Sequence, residues 1–132
     1  MAVDPARLSA IPLFAELTEE QRAAAAAKFE ERHVEPGEHL SHEGGAGYFF
    51  FVIESGAATV ARDGVTLTEF GSGDYFGEAA IFKTRRRTAT VTTTAPTTLF
   101  AMFGADFAKL VSDIPDLHER IEAALDARLP SD

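Results

Sequence analysis

The sequence predicts a mainly β fold with flanking helices: an antiparallel β-roll, jelly-roll-like in its barrel shape, with an N-terminal helix and two C-terminal helices. Short runs of β-branched and aromatic residues alternate with turn residues throughout 34–103. Helical patterns precede and follow that stretch. A chain of 132 residues with 11 phenylalanines can bury one core. We therefore expect 1–132 to form a single domain.

The first element is predicted to be helical over 8–33. Thr18 and Gln21 have the spacing of a capping box, and an alanine-rich run follows them. We expect this helix to end near His33. Before it, the segment 11–14 places large apolar groups beside Pro12, which favours a short docking turn.

The β-roll is assigned to 34–103. A nearly continuous apolar run at 48–53 predicts a strand that is buried on both faces. The segments 59–61 and 65–70 flank Asp63-Gly64, a pair typical of a hairpin turn. The threonine-rich segments 88–94 and 97–103 predict two closing strands, separated at Pro96.

Two helices are predicted over 104–129. The first has Phe107, Leu110 and Val111 on one face and ends before Pro115. The second has apolar residues at spacings of three and four, which form one stripe. These residues are Leu117, Ile121, Ala124, Leu125 and Leu129.

Charge and composition exclude several classes of function. A formal net charge of -9 argues against a nucleic-acid-binding surface. The absence of cysteine excludes disulfides and thiolate metal sites and gives no sign of an oxidising compartment, so the cytoplasm is the default location. No apolar stretch reaches the roughly 18 residues of a membrane span, so we expect no membrane partner. The only run of three basic residues is Arg85, Arg86 and Arg87.

The segment 76–91 combines the groups needed to hold a sugar-phosphate. Gly77 lets the backbone approach a ligand closely, and a helical turn at 79–82 would point free N–H groups at an anion. The Arg87 guanidinium can grip two phosphate oxygens at once. Glu78, an acceptor when ionised, suits a ribose hydroxyl.

The segment 76–91 resembles the phosphate-binding cassette of the cyclic nucleotide-binding domain family, which includes cAMP receptors and protein kinase A regulatory subunits. The separation of Glu78 and Arg87 matches that cassette, and the likeness extends to 11–17, 35–38, 71–77 and 113–117. One departure is Ala79-Ala80, where the family usually has Leu-Ala. A looser loop is also expected at 44–47, where this chain has three glycines and the family often has an acidic residue.

The resemblance implies a regulatory module for signal transduction whose ligand is cAMP in the first place, with cGMP as the alternative. We expect no cofactor, no metal and no catalytic residues. Arg87 would pair with the cyclic phosphate, and Glu78 would accept from the ribose 2′-hydroxyl. The remaining residues implied to line the sugar-phosphate are Gly77, Ala79, Ala80, Thr88 and Ala89. Thr88 leaves the choice of base open, because family members that accept cGMP frequently have threonine there.

The last helix is expected to report binding. Ile121 and Leu125 are candidates for a lid over the base, because an exposed base would favour apolar cover. The same stripe could instead be core or a homodimer seam. The output would be a domain or protein in cis or in trans.

Two alternatives remain beside the sensor. The histidines at 33, 39 and 42, with Glu43, could supply metal ligands in a small cupin-like enzyme. The chain could also be a degenerate module that has become an interaction domain. No nucleophile with an adjacent base stands out, so we expect no enzyme activity.

Overall fold

The structure, a computed structural model, describes residues 3–41, 49–76 and 90–128. Three short helices come first: α1 (Pro5–Leu8), α2 (Pro12–Ala15) and α3 (Glu19–Ala26). The strands follow: β1 (Glu30–Val34), β2 (His39–Ser41), β3 (Phe49–Ser55), β4 (Ala58–Arg62), β5 (Val65–Phe70), β6 (Tyr75–Phe76), β7 (Thr90–Thr93) and β8 (Thr97–Phe103). Two helices close the described chain: α4 (Gly104–Asp113) and α5 (Pro115–Arg128).

The strands form two antiparallel sheets of four strands each. The first sheet has the order β1-β8-β3-β6, and the second has the order β2-β7-β4-β5. Helices precede and follow them along the chain. This arrangement confirms the predicted mainly β fold with flanking helices. The N-terminal part differs in detail, because three short helices stand where one was expected.

Two apolar clusters share the first sheet. The helical core joins the helices to one face of that sheet, where Phe50 and Val52 are fully buried. The roll interior lies on the opposite face, where Phe51 and Ile53 pack with residues of the second sheet such as Val60. Successive residues of a strand point to opposite faces. This alternation explains why β3 is a nearly continuous apolar run, and the prediction of a strand buried on both faces is confirmed.

The local signals that the sequence offered are also confirmed. Thr18 caps α3, and Gln21 reaches back to the Thr18 backbone, which completes the capping box. Asp63 and Gly64 connect β4 and β5 with φ angles of +53° and +77°. Positive angles at both positions are those of a type I′ hairpin turn. The closing strands β7 and β8 are separated by the bend before Pro96, as expected.

The prediction of a helix over 8–33 is wrong at its end. Helix α3 ends at Ala26, and Glu30–Val34 form a strand that pairs with β8 along its whole length. Phe29, between them, is buried against Phe14 in the helical core. Pairing with β8 satisfies the backbone of this charged segment and overrides its local helical tendency. The roll therefore begins at Glu30, four positions before the predicted boundary at 34.

Within the described residues, none of the helices is long and apolar enough to cross a membrane.

Candidate functional site

The predicted cassette, 76–91, is described at its two ends only. Phe76, Thr90 and Val91 belong to strands, whereas 77–89 lie outside the described residues. This excluded part contains every residue that we assigned to the sugar-phosphate: Gly77, Glu78, Ala79, Ala80, Arg87, Thr88 and Ala89. Their roles stay predictions, and the structure contributes the frame that holds both ends of the segment.

The two ends of the cassette belong to different sheets. Phe76 pairs with Phe51 in the first sheet. Val91 pairs with Val60 in the second sheet. Both Phe76 and Val91 are 4% exposed and lie in the roll interior. The two described ends of the cassette thus both lie at the roll interior, one on each sheet.

The roll interior beside these ends is lined by aromatic rings. Phe76 stacks on Phe51 at 4.9 Å and on Phe70 at 5.6 Å, measured between ring centroids. Phe49 continues the row, 5.9 Å from Phe51. Phe49 and Phe70 are only partly buried. An apolar wall of this kind can pack against a flat ring, and it also serves as ordinary core.

The turn before the cassette is firmly held. Asp74 accepts a hydrogen bond from the Gly71 N–H at 2.8 Å, and Ser72 donates to the Glu54 carbonyl at 2.6 Å. Gly73 has a φ of +91°, and its N–H donates to the Ile53 carbonyl at 2.8 Å. These bonds tie the turn to the end of β3. They fix the position from which β6 enters the cassette.

The strand after the cassette is anchored through a buried hydroxyl. Thr93 is 1% exposed. Its Oγ1 donates to the Glu35 carbonyl at 2.6 Å and accepts from the Glu38 N–H at 3.0 Å. The Gly37 N–H donates to the Thr93 carbonyl at 2.7 Å. The loop between β1 and β2 is thereby fastened to β7.

A polar cluster that sequence reasoning missed joins α1 to the first sheet. Arg7 donates to Glu31 at 2.6 Å and to Glu54 through two nitrogens, and its guanidinium lies 5.0 Å from the centroid of the Phe100 ring. The hydrogen bonds with Glu54 and then with Glu31 raise the pKa of Arg7. The hydrogen bond from Arg7 lowers the pKa of Glu31 below its ordinary value. No sequence pattern singled out Arg7, because its partners are 24 and 47 positions away.

The lid candidates on α5 are only partly described. Ile121 is fully buried in the helical core together with Leu117 and Phe107. This burial agrees with the core role that we gave as the alternative to a lid over the base. The Leu125 side chain is outside the described part of the structure. Arg120, next to Ile121, donates to the Leu13 carbonyl at 3.3 Å and approaches Glu16 at 3.3 Å. These contacts fasten α5 to the end of α2.

The histidines considered as metal ligands lie apart. His33, on the first sheet, contacts Glu31 at 2.9 Å and Thr98 at 3.1 Å. His39, on the second sheet, contacts Thr92 at 2.8 Å. His42 and Glu43 are outside the described residues. Across 3–41, 49–76 and 90–128, no three His, Asp or Glu side chains form a group that could hold a metal ion.

Comparison with known proteins connects this frame to a family. A family model described as the cyclic nucleotide-binding domain matches residues 31–113. The cAMP-dependent protein kinase regulatory subunit of Yarrowia lipolytica is 34% identical over 101 residues, which are 76% of this chain and 27% of that protein. The chain therefore spans little more than a quarter of the length of that relative.

Solved structures agree on the fold. One solved as cAMP-bound PfPKA-R (141-441) is 25% identical, with a TM-score of 0.83, covering 96% of this chain and 45% of that one. The regulatory subunit of a cAMP-independent protein kinase A from Trypanosoma brucei has the same fold, with a TM-score of 0.79 and 22% identity over 89% of this chain and 45% of that one. Because the family model covers more than half of the sequence and includes both described ends of the cassette, the chain belongs to the cyclic nucleotide-binding domain family.

Proposed function

We propose that this chain is a regulatory module that binds a cyclic nucleotide, cAMP in the first place, through the segment 76–91. The observation that carries the proposal is the spacing of Gly77-Glu78 and Arg87 within a segment whose two ends lie at the roll interior. One segment between the two sheets therefore carries both a guanidinium that can bind the phosphate and a carboxylate that can accept a hydrogen bond from the ribose.

Seven residues of the cassette have a proposed role. Arg87 pairs with the cyclic phosphate, and Glu78 accepts a hydrogen bond from the ribose 2′-hydroxyl. Smaller residues line the sugar-phosphate and allow the backbone to approach it. They are Gly77, Ala79, Ala80, Thr88 and Ala89. The partly buried rings of Phe49 and Phe70 pack against the same roll interior, and we propose that they form part of the apolar wall of the ligand site.

The choice of cAMP rests on two relatives. The Yarrowia lipolytica protein is a cAMP-dependent kinase regulatory subunit, and PfPKA-R was solved with cAMP bound. Because family members that accept cGMP frequently have threonine at the position of Thr88, cGMP is the alternative ligand. Neither ligand calls for a cofactor or for catalytic chemistry in this chain. A cytoplasmic location is the default proposal, since a chain without cysteine gives no sign of an oxidising compartment.

The output is proposed to pass through the C-terminal helices as a population shift between two of their arrangements. Arg120 ties α5 to Leu13 and Glu16 in the arrangement described above, so these contacts would change if α5 moves. Leu125 stays the candidate for covering the base, whereas burial of Ile121 in the helical core favours a structural role for that residue. The receiver of the signal would be a domain or a partner protein.

Calorimetric titration with cAMP, cGMP and 5′-AMP tests the proposal. We expect a cyclic nucleotide to bind, and Arg87→Ala to weaken binding by about 1.5–3 kcal/mol, as for a charge-assisted contact, or roughly 10- to 150-fold in Kd. Arg85→Ala is the matched control, because it removes the same charge two positions away and should change Kd less than about threefold.

Two outcomes would contradict the proposal. If neither cyclic nucleotide produces heat or thermal stabilisation, the chain has the fold of the family but does not bind a cyclic nucleotide. The Trypanosoma brucei subunit has this fold in a cAMP-independent kinase, so the fold alone does not decide the matter. If Arg85→Ala weakens binding as much as Arg87→Ala, the assignment of the phosphate grip to Arg87 is wrong.

A further inference from the structure

The two faces of strand β1 have different surroundings. Glu31 binds Arg7 of α1 on the side of the helices. Arg32 is on the opposite face, because successive residues of a strand alternate. Its partner across the strand pair is Leu99, which belongs to the roll interior, and Val34 packs against the same cluster. Arg32 is thus a cation that faces the roll interior, with its side chain 34% exposed.

The Arg32 guanidinium makes no hydrogen bond within the described part of the chain. It lies 4.6 Å from the centroid of the Phe49 ring, and its ion pair with Glu30 spans 3.9 Å. Glu30 is 60% exposed, and an ion pair of this kind contributes little. Arg7 and Arg120, by contrast, donate to oxygen atoms at 2.6 and 3.3 Å. The N–H donors of Arg32 can therefore bind an acceptor that enters the roll.

The position of Arg32 relates it to the cassette. Strand β6 is antiparallel to β3, and their last described pair is Phe76 with Phe51. Strand β3 extends beyond this pair to Phe49, the residue whose ring lies under the Arg32 guanidinium. Because β6 runs from Tyr75 to Phe76, it points toward that end of β3. Arg32 therefore lies at the end of the roll where the cassette begins.

Phe49 also holds the guanidinium in place. A guanidinium over an aromatic face is attracted by the ring. The Phe49 ring stacks on Phe103 at 5.0 Å and lies 5.9 Å from Phe51, measured between ring centroids. A ring with neighbours on β3 and β8 gives Arg32 a fixed support, so less side-chain freedom is lost when an anion binds.

The charge of the chain indicates which ligand group Arg32 contacts. A cyclic nucleotide is an anion, and the net charge of -9 opposes the approach of an anion, so its site requires local positive charge. Arg87 supplies one cation in the proposed function. We propose that Arg32 supplies a second one and donates a hydrogen bond to the cyclic phosphate of the bound nucleotide. This inference rests on the proposed function and adds a contact from outside the cassette.

Calorimetric titration of three variants with cAMP tests the contact. Arg32→Gln removes the charge and should weaken binding about tenfold, the lower end for a charge-assisted hydrogen bond, because Arg32 is partly exposed. Arg32→Lys keeps the charge and should weaken binding less, by about threefold. Lys28→Ala is the matched control. It removes the same charge from an exposed position on the turn before β1, and it should change Kd less than about twofold.

NMR reports the contact directly. The phosphorus signal of bound cAMP should differ between the wild type and Arg32→Gln, but not between the wild type and Lys28→Ala. In the wild type, the Arg32 Nε–H signal should shift when cAMP is added. That signal is identified as the arginine signal that Arg32→Lys lacks. The wild-type measurement does not depend on how Arg32→Gln folds.

Two results would overturn the role of Arg32 while the proposed function stands. The first is that Arg32→Gln binds cAMP as tightly as the wild type, or that the Arg32 signal does not shift. Arg32 then only extends its charge into water. The second is an equal loss of affinity in Lys28→Ala and Arg32→Gln, which would assign the effect to the field of the whole chain. Absence of binding by the wild type would instead refute the proposed function, and the role of Arg32 with it.

Discussion

Gly56, in the turn between β3 and β4, has a φ of +117° and no room for a side chain. A Cβ there would lie 2.7 Å from the Thr97 Cα and 2.8 Å from the Pro96 carbonyl oxygen. We expect Gly56→Ala to lower the free energy of unfolding by about 2–4 kcal/mol, through backbone strain and overpacking together. Urea denaturation of the purified variant measures this loss.

Gly64 provides the control for that prediction. It also has a positive φ, of +77°, but nothing lies within 4 Å of the position a Cβ would take. Gly64→Ala should therefore cost only about 1 kcal/mol, the strain of a left-handed residue. Equal losses for the two variants would show that backbone strain alone, and not the contact with Pro96 and Thr97, makes glycine necessary at 56.

At this scale, sequence reasoning succeeds where a rule is local. The capping box of Thr18 and Gln21 and the turn at Asp63-Gly64 are each complete within a few positions, and both are confirmed. The tight contact at Gly56 could not be predicted, because Thr97 is about 40 positions further along the chain. Which distant residue fills the space beside a glycine depends on the register of strands.

Strand β1 is tied to α1 through Glu31, and this tie is expected to depend on pH. The hydrogen bond from Arg7 lowers the pKa of Glu31 below its ordinary value of 4.5. The pair therefore stabilises the fold at pH above that ordinary value. The stabilisation disappears as the pH falls through the lowered folded-state pKa.

The variant Glu31→Gln isolates this contribution. The wild type should be more stable than the variant at pH 7, and the difference between them should shrink as the pH falls below about 4.5, where the unfolded carboxylate takes up its proton. Urea denaturation at several pH values from 7 to about 3 measures the difference. A difference that stays constant over this range would mean that Glu31 acts through packing and not through its charge.

The same strand shows the limit of element prediction. Its sequence, Glu-Glu-Arg-His-Val, follows an alanine-rich helix and has no apolar alternation, so it favours continuation of the helix. Glu31 pairs with Arg7, and the strand lies on an edge of the sheet, where polar residues are tolerated. Pairing with β8, far along the chain, decides its structure. Strands with a clear apolar pattern are predicted better: β8 has the predicted bounds 97–103, and β3, predicted over 48–53, is observed at Phe49–Ser55.

At the scale of the molecule, the proposed cassette and the frame around it depend on different kinds of information. The spacing of Glu78 and Arg87 is a local signal that requires no knowledge of the fold. The frame that holds the cassette is not local, since Phe76 and Val91 pair in different sheets. The Arg7 cluster and the hydrogen bonds of Thr93 join residues that are far apart in the sequence, and no sequence pattern predicts them.

The two apolar clusters should unfold together, because they share strands. On β3, Phe50 belongs to the helical core and Phe51 to the roll interior; on β8, Phe100 and Leu99 divide in the same way. Loss of either cluster would expose the face of the shared sheet that supports the other. We therefore expect one two-state transition for the whole chain, as for most single domains of this size.

Calorimetry combined with two spectroscopic signals tests this expectation. Circular dichroism at 222 nm follows mainly the helices, and the NMR amide signals of β4, β5 and β7 follow the second sheet, none of whose residues belongs to the helical core. Both signals should give one midpoint, and the calorimetric and van't Hoff enthalpies should agree. An earlier loss of the helical signal would show that the helices separate from an intact roll. In that case the C-terminal helices could respond to a ligand without disturbing the sheets that hold it.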